Sequence, residues 1–323
     1  MKTHLVSTPI FILCFISLIS ACFGGIGLIF AGIALYKVHQ KIKEAQQNEL
    51  GFTGSLETMK VAKIAALISL VVNLIYFGYT AAETILLQVA GMSFFDAINH
   101  ALCTLSTGGF STKNASIAHW NGQPIIQYII IVFMFLAGTN FVLSYFAFKG
   151  KIQKIIKDEE FKLYFKFIAI FTLIAALIIY FRADVSVSSI THPMVYGEGE
   201  SAFRHALFQV LAIVTTTGFV TADYTLWTPF LMVFFFGLMF LGGSAGSTSG
   251  GVKVVRHLIL IKNGFLEFKR SLHPNAILPV RYNTKSISGD IVFNILAFFI
   301  LYMLSFIIGA LVFSMFSSIT AVL

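Results

Sequence analysis

Charge is what this sequence has least of. Only 11% of its 323 residues are Asp, Glu, Lys or Arg, while 57% are hydrophobic and the mean hydropathy is +0.87. Soluble domains carry about 25% charged and about 45–50% apolar residues. The shortage excludes an ordinary water-soluble globule and a disordered chain, and the apolar excess calls for lipid. Cysteine is scarce as well: Cys14, Cys22 and Cys103 lie in apolar stretches with no metal-ligand spacing between them. That gives no disulfide framework. The eight histidines offer no ligand pair at helical spacing, and His100 and His205 read as packing or mouth-lining residues.

What is present is a series of apolar runs, rich in the 35 phenylalanines, at about 5–36, 61–90, 125–148, 163–182, 228–265 and 290–318. A bilayer span needs about 20 such residues. The first run carries Ile19-Ser20-Ala21-Cys22, which looks like a lipoprotein cleavage site. Its apolar character continues unbroken to Tyr36, so an uncleaved transmembrane helix is expected.

The positive charge is clustered. Of 22 Lys and Arg, five fall between Lys37 and Lys63, six between Lys149 and Lys166, and seven between Lys253 and Lys285. Each cluster adjoins a span, which marks cytoplasmic segments rather than a nucleic-acid surface. With every span crossing once, all three clusters face one side. Two short pieces, 94–105 and 202–214, then face the other side. At about 1.5 Å per residue they are too short to cross. They are expected to dip in and return, which needs protein or water to satisfy the backbone.

Those two pieces are an internal repeat. A shift of 109 residues places Phe94 on Phe203, Ala97 on Ala206, Leu102 on Leu211, Thr107 on Thr216, Gly109 on Gly218, Phe110 on Phe219 and Thr112 on Thr221. Seven of the twenty positions from 93 to 112 are identical without a gap. The repeated unit is helix, short pore helix, glycine-bearing turn, helix. A pore helix ends with about half a negative charge at its carboxyl terminus, which favours a cation. Glycine lets the turn aim carbonyl oxygens inward, as in carbonyl-lined potassium filters. No carboxylate lies within either turn; Asp223, just beyond the second, reads equally as a cation-attracting mouth residue or a solvated loop residue.

Ser106-Thr107-Gly108-Gly109-Phe110-Ser111-Thr112, Thr215-Thr216-Thr217-Gly218-Phe219 and the run Gly242–Val254 resemble the Trk/Ktr/HKT superfamily of potassium transporters, in particular its TrkH-type subunit. The resemblance implies an all-α integral membrane protein, with repeated helix–pore loop–helix modules around a central pore, in the bacterial cytoplasmic membrane. By matching motif, the potassium-binding filter residues are Ser106, Thr107, Gly108, Gly109, Thr215, Thr216, Thr217 and Gly218. Gly242, Gly243, Gly246, Ser247, Thr248, Gly250 and Gly251 fall in the family's gate loop, inside an interrupted helix 228–265. The resemblance implies a homodimer in lipid that binds a TrkA-type cytosolic nucleotide-binding regulatory subunit. It calls for no bound cofactor, no nucleic acid and no enzymatic step; potassium is the substrate.

Against the family's four pseudo-repeats this sequence reads as half a repeat (1–60), two whole repeats (61–162 and 163–285) and half a repeat (286–323). The expectation is a piece of a longer transporter, with a natural two-filter protein as the alternative. A non-transporting assembly subunit and an ion-coupled secondary transporter are the rival functions.

Residues 242–251 admit two other readings. Gly242/Gly246 and Gly246/Gly250 have the spacing of a helix-packing face. Gly242-Gly243-Ser244-Ala245-Gly246 matches a hydrolase nucleophile turn, which requires a preceding strand. Glu159-Glu160 reads as solvated in a basic loop, and Glu83, inside a span, reads as snorkelling or pairing near its outer end.

Overall fold

The computed structural model describes residues 53–182, 196–273, 276 and 278–320, together with Ile33 and Tyr36. The expected first span, 5–36, otherwise lies outside the described residues, as does the polar stretch 183–195.

The architecture is helical. α1 (Thr53–Val89) runs into the short α2 (Phe94–Leu105), whose amino end is capped by Ser93 Oγ accepting from the Asp96 amide at 3.1 Å. A 3₁₀ turn over Ser116–Trp120 leads to α3 (Pro124–Ala137), which starts on proline, and α4 (Phe141–Phe148). The small α5 (Ile152–Lys157) precedes the long α6 (Glu159–Arg182). Asp158 opens α6 by accepting from the Phe161 amide at 2.8 Å. α7 (Glu198–Val214), α8 (Pro229–Leu238), α9 (Val254–Leu272) and α10 (Gly289–Thr320) complete the helices. Strands β1 (Arg281–Tyr282) and β2 (Lys285–Ser286) form a hairpin between α9 and α10. Its turn residues Asn283 and Thr284 have φ of 44° and 72°, the type I′ geometry that matches strand twist.

Among the described residues, three helices are long and apolar enough to cross a membrane: Lys63–Val89, Glu159–Phe181 and Gly289–Ser314. Among the described residues the two short helices behave alike: α2 packs on α1, and α7 on α6. α7 begins four residues earlier than the expected 202–214, but its 17 residues still give only about 25 Å.

Two expectations need correction. The run 125–148 is not one straight span: it is bent by 107° at Gly138-Thr139-Asn140. Gly138 ends α3, and Asn140 caps α4 by accepting from the Val142 amide at 2.9 Å. The segment after 265 is not a plain basic loop, because α9 continues to Leu272 and the hairpin follows. Asn283 fastens that hairpin to the start of α6, donating to Asp158 Oδ2 at 2.7 Å and accepting from the Glu159 amide at 3.0 Å.

The main core joins Ile126, Ile130 and Met134 of α3, Tyr164 and Ile168 of α6, Phe208 and Leu211 of α7, and Leu231 and Phe235 of α8. In lipid such packing holds helices together by close contact rather than by escape from water.

Candidate functional site

Each pore helix ends in a turn of the same shape. Ser106 and Thr215 keep right-handed angles (φ −80° and −81°). Thr107 and Thr216 follow with φ of 54° and 57°, and Gly109 and Gly218 with 67° and 81°. Left-handed threonine is strained, and it occurs here twice at positions related by the shift of 109.

The two turns meet backbone to backbone. A Cβ on Gly109 would collide with the Thr217 carbonyl oxygen and lie 3.1 Å from the Gly218 carbonyl carbon. Gly109 therefore answers to both a left-handed φ and a close approach. Gly218 has only the first requirement, since no described residue comes within 4 Å of a Cβ placed there. Gly108 is exposed, whereas Thr215 and Thr217 are buried, their hydroxyls 2.8 Å apart.

Side chains of each pore helix hold the chain that leaves the turn. In the first copy Thr112 Oγ1 donates to Asp96 Oδ1 at 2.5 Å, Lys113 pairs with Asp96 at 3.2 Å, and His100 Nε2 meets Ser111 Oγ at 2.8 Å. The Thr112 hydrogen bond, chiefly, holds the Asp96 carboxyl below its ordinary pKa of 3.8. In the second copy His205 Nδ1 meets Thr221 Oγ1 at 2.9 Å, and Gln209 donates to the Ala222 carbonyl at 3.3 Å. His100 and His205 thus brace the segments that leave the two turns. The segment after the first turn also braces the second: Ala118 N donates to Val220 O at 3.0 Å, and Asn121 Nδ2 to Thr221 O at 2.9 Å.

A polar chain invisible to pattern reading runs to that second turn. Arg204, fully buried, donates to Glu200 at 2.7 Å and to Gln127. Gln127 donates to Asn121, which holds Thr221. Asp223 is exposed and accepts from the Thr225 amide at 3.0 Å, the role of a turn residue.

Residues 239–253 form a closed loop between α8 and α9. Its neck is a parallel bridge between Leu241 and Val252, with Gly242 N donating to Val252 O at 2.9 Å. The loop is not helical, so the GxxxG packing face does not form. A helix, α8, precedes it, so the strand required by a nucleophile turn is missing.

The loop touches both turns. Thr107 Oγ1 donates to the Thr248 carbonyl at 3.1 Å, and Gly250 N donates to Thr216 Oγ1 at 2.6 Å. It also fills the break between α3 and α4. Ser244 N donates to the Gly138 carbonyl at 2.8 Å, Thr248 Oγ1 to the Ala137 carbonyl at 3.3 Å, and Phe141 N to the Gly246 carbonyl at 3.2 Å. Backbone groups freed by the break thus find partners inside protein, as membrane depth demands. Gly138 has no room for a side chain, since a Cβ there would lie 2.7 Å from Thr215 Cγ2 and closer still to the Tyr164 hydroxyl.

Two carboxylates depart from expectation. Glu160 is buried, not solvated: its Oε1 accepts from the loop's Ala245 amide at 2.6 Å. The partner is 85 residues away in sequence, so no local pattern reveals it. Its neighbour Glu159 pairs with Lys262 at 2.7 Å. Glu83 does not snorkel, and it finds no ionic partner among the described residues. Its carboxyl is fully buried beside Thr104 of α2, with neither oxygen in hydrogen-bond geometry.

Comparison with known proteins converges on one family. The family model described as TrkH, a cation transport protein, matches residues 6–323. The potassium uptake protein TrkH of Escherichia coli K12 is 33% identical over 310 residues, covering 93% of this chain and 62% of the relative. TrkG of the same organism is 30% identical over 282 residues, covering 87% and 55%. The crystal structure of the potassium transporter TrkH from Vibrio parahaemolyticus aligns with a TM-score of 0.65 at 29% identity, covering 87% of this chain and 57% of that one. The chain thus spans about three fifths of the length of such relatives. A duplicated pore-helix turn, a glycine-rich loop beneath it and a family match over nearly every residue lead to one assignment: this all-α membrane chain belongs to the TrkH family of cation transport proteins.

Proposed function

We propose that this chain supplies two walls of a potassium-uptake pore in the bacterial cytoplasmic membrane. Ser106–Gly109 and Thr215–Gly218 form the filter walls, and the loop 242–251 is the gate below them. The observation that carries this reading is the paired left-handed geometry at 107/109 and 216/218, in two turns that abut through Gly109 and Thr217. Carbonyls presented this way replace the hydration shell of an alkali cation. The gate reading rests on the loop's hydrogen bonds to both Thr107 and Thr216. Relatives named as Trk potassium uptake proteins support potassium as the ion. Assembly follows the family pattern: a homodimer in lipid, with a TrkA-type nucleotide-binding subunit on the face bearing the lysine and arginine clusters. The basic segments around Lys151–Lys157 and Lys262–Lys285 assign that face to the cytoplasm by the positive-inside rule.

The test uses the complete transporter in cells that lack other potassium uptake. Rubidium uptake should depend on the filter, and Gly218→Ser should bring the potassium-to-sodium permeability ratio toward one. An unaltered ratio in a well-folded Gly218→Ser protein sinks the assignment of this turn to the filter.

A further inference from the structure

The gate loop carries its own cation. Lys253, the last residue before α9, folds its side chain back into the loop it follows. Its ammonium lies 3.3 Å from both the carbonyl and the hydroxyl oxygen of Ser247, and 3.2 Å from the Ser249 hydroxyl. It also donates to the Ser249 carbonyl. Four neutral oxygens thus surround one monovalent charge. Neighbouring hydrogen bonds orient both hydroxyls. Ser247 Oγ donates to the Ser244 carbonyl at 2.6 Å, and Ser249 Oγ accepts from Gly243 N at 2.9 Å. With Ser247's proton committed, its hydroxyl oxygen accepts from both Ser249 Oγ at 2.8 Å and the ammonium.

The donor set is informative. Carbonyls and hydroxyls without a carboxylate suit a monovalent cation, whereas divalent sites of hard cations recruit charged oxygens. The same oxygen types line the filter turns directly above. The two ends of the loop are also pinned differently. Glu160 holds the Ala245 amide at one end, while Lys253 clamps Ser247 and Ser249 at the other. Between them lies Thr248, whose carbonyl is tied to Thr107.

We propose that Lys253 is a tethered stand-in for the transported ion, latching the gate loop through the Ser247–Ser249 oxygen cage, and that an alkali cation occupies this cage when Lys253 leaves it. The proposal rests on the gate reading above. An ion descending from the filter meets a loop, bonded to Thr107 and Thr216, that already holds the Lys253 charge, and like charges repel strongly away from bulk water. Displacing the ammonium frees the loop's clamped end. Ion arrival and loop release are then one event.

The experiment compares three variants of the complete transporter, reconstituted in vesicles and crystallised with rubidium. Removing residues 244–248 tests the gate itself. Lys253→Met removes the tethered charge while keeping an unbranched stem of similar bulk. Ser247→Ala with Ser249→Ala keeps the lysine but strips the cage of its hydroxyls. Lys253→Met should raise rubidium uptake about tenfold, the population shift expected from losing one charge-assisted hydrogen bond. It should also show anomalous rubidium density between Ser247 and Ser249 that the unmodified protein lacks. The double serine variant should raise uptake without adding that density, and it serves where Lys253→Met does not fold. If loop removal raises uptake but neither Lys253→Met nor the serine variant does, the latch is wrong and the gate stands. If loop removal changes nothing, gate and latch fall together. Raised uptake in Lys253→Met without rubidium density at the cage overturns the ion-exchange half of the proposal.

Discussion

The two pore repeats share one backbone plan and diverge in what surrounds it. Both pore helices end in a right-handed residue, a left-handed threonine and a left-handed glycine at positions 109 apart. Both following helices are broken: by three residues between α3 and α4, and by the fifteen residues between Leu238 and Val254 in the second copy. The loop 239–253 is therefore an elaboration of a break that the first copy also has, and it folds into the first copy's break. Phe110 and Phe219 show the other divergence. Phe219 is 1% exposed and lies tilted against His100 of the first pore helix, whereas Phe110 is 78% exposed among the described residues. The two copies share the geometry of the turn and differ in the scaffolding behind it.

The sharpest break in this comparison comes from the two turn glycines. Gly109→Ala puts a methyl group against the Thr217 carbonyl, in a backbone that also disfavours any side chain. Neither neighbour is a flexible side-chain tip, so nothing can yield without moving the second turn. Gly218→Ala meets open space and bears only the left-handed penalty of about 1–2 kcal/mol. Rubidium uptake by the complete transporter should vanish for Gly109→Ala while Gly218→Ala stays folded with reduced selectivity. Equal losses in both, with equal melting temperatures, would show that the turns do not abut as described.

The next largest effect separates Arg204 from Phe95, its counterpart in the repeat. Arg204 is fully buried and satisfies Glu200 and Gln127. Truncation to Ala leaves a carboxylate and an amide without their partner, a loss of about 3–5 kcal/mol for a broken buried pair. Phe95 is 67% exposed, and Phe95→Ala should stay within about 0.5 kcal/mol. Detergent melting curves of the two variants check this. An Arg204→Ala protein as stable as Phe95→Ala would mean that the chain from Glu200 to Thr221 contributes nothing to stability.

The pattern of what the sequence made legible follows from range. The two matching turns were readable because a gapless repeat puts the same Thr and Gly at matching sites, and the glycine-rich loop because ten small residues interrupt an apolar run. The bend at Gly138 was hidden, because hydropathy continues across Gly138-Thr139-Asn140 and only two polar residues interrupt it. Its signal was a glycine followed by an asparagine, the residues that end one helix and cap the next. Glu160 and Arg204 escaped for a different reason. Glu160 finds its partner far along the chain, at Ala245, so local charge patterning reads it as solvated; Arg204 pairs locally with Glu200, but its second partner, Gln127, lies 77 residues away.

The smallest effect concerns the braces themselves. Asp96 and His205 occupy the same repeat position and hold Thr112 and Thr221 respectively, one as a carboxylate and one as an imidazole. The Thr112 hydroxyl is the main reason the Asp96 carboxyl sits below its ordinary value of 3.8. A depressed carboxylate contributes stability that is present above its unfolded pKa and is lost as pH falls through the lower folded value. The first turn should therefore loosen below about pH 4, by about 1 kcal/mol for the weakened hydrogen bond. Hydrogen exchange of the amides over 106–112 and 215–221, corrected for intrinsic rates between pH 5 and pH 3, distinguishes the two. Exchange over 106–112 should rise first, and Asp96→Asn should remove that acid step while leaving 215–221 unchanged. If Asp96→Asn keeps the step, the titrating group lies elsewhere. If both segments open together, the abutting backbones at Gly109 and Thr217, rather than the separate braces, set the stability of the pair.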